Sequence, residues 1–355
     1  MDFAFDESQT AVRELARGLF SKLHLATNLD LPAVWRELGR ANLLGVGLPV
    51  AVGGSESGFV ALCCLLEQAG EVASPLPLLP ALVFAGLPLA HTGAAPATLA
   101  ALCQGERVLC ASYGTRGEPA LRARREGENW VVSGSETCVE GAPLADLLLL
   151  AARSEAGPRV LFLVDRSTSG LTIEPQSVAS GHSLGRIQLQ DVRLSGAALV
   201  GDPGQADALI DWTLERAYVA QCAYELGLGA RALAMTARFA GERQQFGRPI
   251  GTFQAVAQRV ADAHIAVETM RLTLWRAAWL VEQGVDARRE IAVARTIATQ
   301  AGHEVVCAAQ HIHGSMGFDR DYPLYRYFLA SKQNELLLGG HNFHLARLGK
   351  LLSCD

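Results

Sequence analysis

Lysine is nearly missing from this chain. Lys22, Lys332 and Lys350 are all it has, so arginine carries the basic charge. With a formal net charge of −5 and no long basic stripe, nucleic acid is not an expected partner. CxxC pairs are missing too. Cys63, Cys64, Cys103, Cys110, Cys138, Cys222, Cys307 and Cys354 sit mostly in apolar contexts, the pattern of reduced buried thiols rather than of disulfides or zinc. No basic stretch followed by an apolar one opens the sequence, which begins Met1-Asp2-Phe3-Ala4-Phe5-Asp6-Glu7. No signal peptide is therefore expected, and a cytoplasmic location is. The longest apolar stretch, residues 73–90, contains Pro75, Pro77, Pro80 and Pro88. A spanning helix there would lose too many backbone hydrogen bonds, so no membrane association is expected. Repeats of solenoid period are absent as well.

What is present is a chain of 355 residues, half of them hydrophobic and 19% charged, enough for a large core. Three textures follow one another. Residues 1–105 carry helical spacing: Val12, Leu15, Ala16 and Leu19 share one face, and residues 59–72 are apolar almost throughout. Residues 106–203 hold short apolar runs, at 107–111, 129–132, 147–150 and 160–164, with Ile187 and Leu189 alternating with polar neighbours. Gly, Asn, Asp and Ser turns separate them, as they separate strands. Residues 204–355 return to long helical patterns, at about 206–241, 254–282, 287–310 and 324–338, with Asp286 a candidate N-cap. The expected fold is mainly α with a central β domain: an N-terminal helical domain, a β-barrel or sandwich, and a C-terminal helical bundle.

Two segments carry chemistry. The first reads Arg243-Gln244-Gln245-Phe246-Gly247-Arg248-Pro249-Ile250, followed by Phe253-Gln254. A guanidinium fork holds phosphate oxygens bidentately. Phe246 offers an apolar face, Gly247 and Pro249 let the chain reverse, and Gln254 brings an amide that donates and accepts. The second reads Gln310-His311-Ile312-His313-Gly314-Ser315-Met316-Gly317-Phe318, followed by Tyr322-Pro323. Gln310 can bond a polar group, and Gly314 leaves room for a ligand at the backbone. Either segment alone reads better as a helix cap and a turn. His311 and His313 point apart on a helix, so no metal site is expected there.

Together these segments resemble the signatures of the acyl-CoA dehydrogenase family. Weaker matches accompany them at Asp2-Phe3 with Gln9 and Arg13, at residues 35–39 followed by Gly45, Pro49 and Gly53-Gly54, and at residues 191–194. The resemblance implies FAD as cofactor and an acyl-CoA substrate desaturated between its α and β carbons. It also implies an electron-transfer flavoprotein partner and a homo- or hetero-oligomer, a dimer of dimers. Arg243, Phe246, Gln254, Gln310 and Gly314 would grip the adenosine diphosphate end of a neighbour's FAD across a subunit interface.

The catalytic half departs from the family. Its usual base, a Glu before a Gly, falls on Leu338 before Gly339, and the alternative position on the long helix falls on Ala217. Leucine and alanine cannot take a proton. Glu215 is near but rotated by roughly 200° about the helix, and Glu335, one helical turn before Leu338, is a further candidate; no catalytic residue is assigned. The loop that faces the flavin ring is replaced by residues 112–119, and the family's Trp-Ile-Thr segment by Cys138-Val139-Glu140. A carboxylate there opposes the charge of reduced flavin. The short length and the Glu71-to-Pro77 segment resemble subunits of two-component enzymes that shorten steroid side chains. The expectation is a subunit that lends its grip to a partner. A self-sufficient enzyme with a displaced base, or a scaffold without flavin, remains open at this point.

Overall fold

The computed structural model describes residues 4–23, 30–114, 119–155 and 157–353. Along the chain, helices α1 (Glu7–Leu23), α2 (Leu31–Arg40) and α3 (Gly58–Glu71) come first. A π-helical turn, Leu79–Gly86, runs into α4 (Leu87–His91), and α5 (Pro96–Cys103) follows. Pro80 stands in the first turn of this continuous helical run, where a missing N–H costs little. Then come β1 (Leu109–Ser112), β2 (Arg122–Glu126), β3 (Asn129–Glu140), β4 (Leu147–Ser154), β5 (Arg159–Asp165), β6 (Leu171–Gln176) and β7 (Leu184–Leu194). The C-terminal part holds α6 (Ala206–Glu242), a tight hairpin of β8 (Gln244–Gln245) and β9 (Arg248–Pro249), α7 (Gln254–Glu282), α8 (Arg288–His313), α9 (Leu324–Leu336) and α10 (His341–Leu352). No helix among the described residues is long and apolar enough to cross a membrane.

Contacts group the chain into two compact units. One contains residues 26–61 and 75–217, the other residues 1–25, 62–74 and 218–355. In the first, β4 lies at the centre of the sheet. It pairs antiparallel with β5 along its length, and parallel with β1 and β2 on its other edge. β2, β3, β7 and β6 continue antiparallel. The apolar runs point inward as Val132, Leu148, Leu150, Phe162, Val164, Ile187 and Leu189, with Trp130 edge-on to Phe162. Two strands escape a hydrophobic reading. β2 buries only Ala123 among charged neighbours, and β6 is largely exposed; backbone pairing holds both.

In the second unit, α3 and α6 cross so closely that glycines are required. A Cβ on Gly227 would collide with the carbonyl oxygen of Glu67, and one on Gly70 with that of Tyr224. Glu67 is buried and anchors Arg13 of α1 at 3.4 Å and Arg271 of α7 at 3.1 Å. Deeper in the bundle, Glu225 accepts from Ser331 Oγ at 2.5 Å and from Asn334 Nδ2 at 2.7 Å. The fully buried Arg295 donates to the carbonyls of Asn334 and Leu337, at 2.7 and 3.1 Å. Asp286 is not the N-cap of α8: Ala287 is, and Asp286, one residue earlier, accepts the Arg288 N–H at 3.1 Å. The last helical run ends two residues short of the expected 338, because Leu338 takes a left-handed φ of 58°. Five of the eight cysteines are buried, Cys138 is exposed and Cys307 half-buried, all free; Cys354 lies outside the described residues.

Candidate functional site

The long helix α6 ends at Glu242 and the chain turns through β8 and β9 into α7. The hairpin closes because Arg243 O accepts from Ile250 N at 2.8 Å, with Gln244 and Gln245 opposite Pro249 and Arg248. At its tip Phe246 has φ 54° and Gly247 φ 78°. Left-handed geometry at an aromatic residue is strained, and this one is 91% exposed. Arg248 lies over the ring of Phe253 at 4.3 Å, which stiffens the base of the loop. Arg243 and Gln254 are exposed, and neither side chain has a hydrogen bond or ion pair among the described residues.

The end of α8 is tied to the end of α6. His313 stacks on Phe239 with centroids 4.2 Å apart, and Phe239 is one turn before Arg243, whose N–H it accepts at 2.8 Å. Gly314, exposed at φ 61° and ψ −135°, caps α8 through its N–H to Gln310 O. A Cβ there would meet nothing, but no L side chain tolerates that backbone. Arg243 and Gln254 thus present exposed side chains without hydrogen bonds at these helix ends; Phe246 stands edge-on to Phe253 at 6.1 Å, and Gly314 is exposed with its N–H held by the cap.

Gln310 does not join them. Its side chain is buried, and Oε1 packs on Gly317 without a hydrogen-bond partner among the described residues. Val306, Ala309, Gln310 and His313 form the buried face of α8, whereas His303, Glu304 and His311 are exposed. The apolar spacing at 306 and 309 was the signal for that orientation. It also marks His311 as the outward-facing residue of the second motif. His311 lines a cavity of about 490 Å³ between α7 and α8 with Arg259, Asp262, His303, Glu304 and Cys307. Among the described residues no three His, Cys, Asp or Glu side chains come together as metal ligands do.

The catalytic positions are equally plain. Ala217 is fully buried, and Leu338 holds the left-handed turn before Gly339, whose φ is 105°. Glu335 faces away from that role: it pairs with Lys332 at 2.5 Å and lies 3.6 Å from His303. Glu215 is half-buried on α6. The loop at residues 115–118 lies outside the described residues. Cys138 sits at φ 58° in a bulge of β3, held by Gln176 Oε1 accepting its N–H at 2.8 Å. Glu140, half-buried at the end of β3, has its carboxyl pushed up to about 7 by desolvation.

A carboxyl raised above its unfolded value stabilises the fold fully at low pH, and the contribution is lost as pH rises through about 7. Glu140→Gln should be about 1–3 kcal/mol more stable than the parent at pH 8, and no more stable near pH 4. Urea unfolding across that range measures it; a difference independent of pH would refute the assignment.

Three family models divide the chain among them. The acyl-CoA dehydrogenase N-terminal domain matches residues 6–98, the middle domain 115–192 and the C-terminal domain 208–352. Acyl-CoA dehydrogenase FadE27 of Mycobacterium tuberculosis is 34% identical over 332 residues, 90% of this chain and 88% of that protein. Among solved structures, the ChsE4-ChsE5 complex from Mycobacterium tuberculosis contains a chain 32% identical, with TM-score 0.91 and full coverage of both chains. The Tcur3481-Tcur3483 steroid ACAD, solved as a G363A variant, contains a chain 38% identical, with TM-score 0.88 and 98% coverage of each.

Proposed function

The chain belongs to the acyl-CoA dehydrogenase family, whose cofactor is FAD, and from that premise we propose that it is the cofactor-gripping subunit of a two-component, steroid- or lipid-degrading acyl-CoA dehydrogenase. One observation carries this reading: an exposed, uncommitted grip coexists with Leu338 and Ala217 at the two positions where a base belongs. The family's flavin takes the hydride that leaves the β-carbon when a base removes the α-proton. This chain brings no carboxylate to either position for that proton.

Its own residues do something else. Arg243 supplies a bidentate cation for the pyrophosphate, and no carboxylate among the described residues neutralises it. Phe246 presents a ring for the adenosine, Gln254 an amide, and Gly314 a backbone carbonyl, its N–H being held by the cap of α8. On the surface His311 takes the part that Gln310, turned inward, is not oriented to play. Glu140 places a carboxyl where the family presents a neutral segment to the flavin, which weakens this chain's own ring pocket. Two complexes of related chains, ChsE4-ChsE5 and Tcur3481-Tcur3483, support an unlike partner. An acyl-CoA substrate accords with the family. Flavin occupancy of the chain, alone and co-purified with its partner, tests the reading.

A further inference from the structure

We propose that His313 is the positioning residue of the FAD grip, the one that presents Arg243 and Gly314 as a single preformed surface. That role rests on the surface being the FAD site. His313 is 5% exposed, yet Gly314, Ser315, Met316 and the whole Arg243–Arg248 hairpin around this end of the unit are exposed. A buried imidazole in an exposed neighbourhood has to be held, and this one is held at both ring nitrogens and across one face.

Nδ1 donates to Ala309 O at 2.8 Å, which fixes the neutral tautomer. Nε2 is then an acceptor, and Tyr322 Oη donates to it at 3.0 Å. One ring face stacks on Phe239 at an interplanar angle of 21°, and Tyr322 tilts against the ring at 5.2 Å. Two other stretches of chain therefore meet on this one side chain of α8. Phe239 brings α6 and, one turn later, Arg243; Tyr322 brings the loop before α9; the bond to Ala309 fixes the ring on its own helix, directly before Gly314. Burial holds the imidazolium form off, which keeps Nε2 free to accept. A ligand that must meet Arg243 and Gly314 at once loses less ordering entropy when one ring has already set their separation.

The test uses the assembled enzyme and reads FAD release after dilution, by recovery of flavin fluorescence. His313→Ala should release FAD about tenfold faster, the loss of two hydrogen bonds and a stack. Tyr322→Phe, which removes one hydroxyl and leaves the core intact, should release it about threefold faster. Added imidazole should return His313→Ala most of the way to the parent rate. Release at the parent rate in both variants, or fast release that imidazole does not slow, would overturn the proposal. Arg243→Ala, run in parallel, separates the two levels: if it too is without effect, the FAD reading of the surface has failed rather than the role of His313.

Discussion

Arg243→Ala is expected to weaken FAD retention in the assembled enzyme about 10- to 100-fold. A bidentate guanidinium–phosphate contact is worth about 1.5–3 kcal/mol, and about 1.4 kcal/mol is tenfold in affinity. The arginine has no competing structural duty, since its side chain makes no hydrogen bond or ion pair among the described residues. The stability of the flavin-free chain should therefore move by less than about 0.5 kcal/mol. Arg243→Lys should fall between, because an ammonium keeps the charge and loses the fork. Equilibrium dialysis with FAD, beside urea melts of the flavin-free protein, reads both quantities. Unchanged affinity would remove Arg243 from the site, and a collapse in stability would make it a structural residue.

The largest effect on stability is expected at Gly227. Its Cα faces the carbonyl of Glu67 where α3 and α6 cross, and a methyl group there overlaps backbone that no rotamer change can move. Gly227→Ala should cost at least about 3 kcal/mol, because the two helices must part along their length. Gly18, in the middle of α1, is the control, because an added methyl there would have nothing within 4 Å. Gly18→Ala should be neutral or stabilise by up to about 1 kcal/mol through helix propensity alone. In thermal melts Gly227→Ala should fall well below the parent, while Gly18→Ala should match or exceed it. A Gly227→Ala protein that melts with the parent would mean that the crossing has room for a methyl group.

Long amphipathic and apolar patterns survive from sequence to structure with little change. α7 begins and ends where its spacing begins and ends, at Gln254 and Glu282. The apolar runs at 147–150 and 160–164 fall within β4 and β5. Elements whose cause is long-range were not legible. β2, reading Arg-Ala-Arg-Arg-Glu, has one inward residue and exists through its pairing with β3 and β4. The left-handed turn at Leu338 is imposed from elsewhere, by Gln221 and Arg295 both donating to the carbonyl of Leu337. Residues of the grip were visible as motifs, but their orientation was not. Arg243 and Phe246 face solvent, whereas Gln310, in an equally good motif, turns inward because its helical phase follows Val306 and Ala309. A motif fixes identity and spacing; the face of the helix decides what can touch a ligand.

If this chain grips a cofactor that it does not use by itself, the flavin-to-protein ratio must depend on its partner. The chain is purified alone and co-purified with its unlike partner, and the flavin released on denaturation is quantified in each. Little flavin is expected on the chain alone and stoichiometric flavin in the pair, lost when Arg243→Ala is introduced into this chain only. Full occupancy of the isolated chain, with turnover of an acyl-CoA in the partner's absence, would contradict a division of labour between the two subunits.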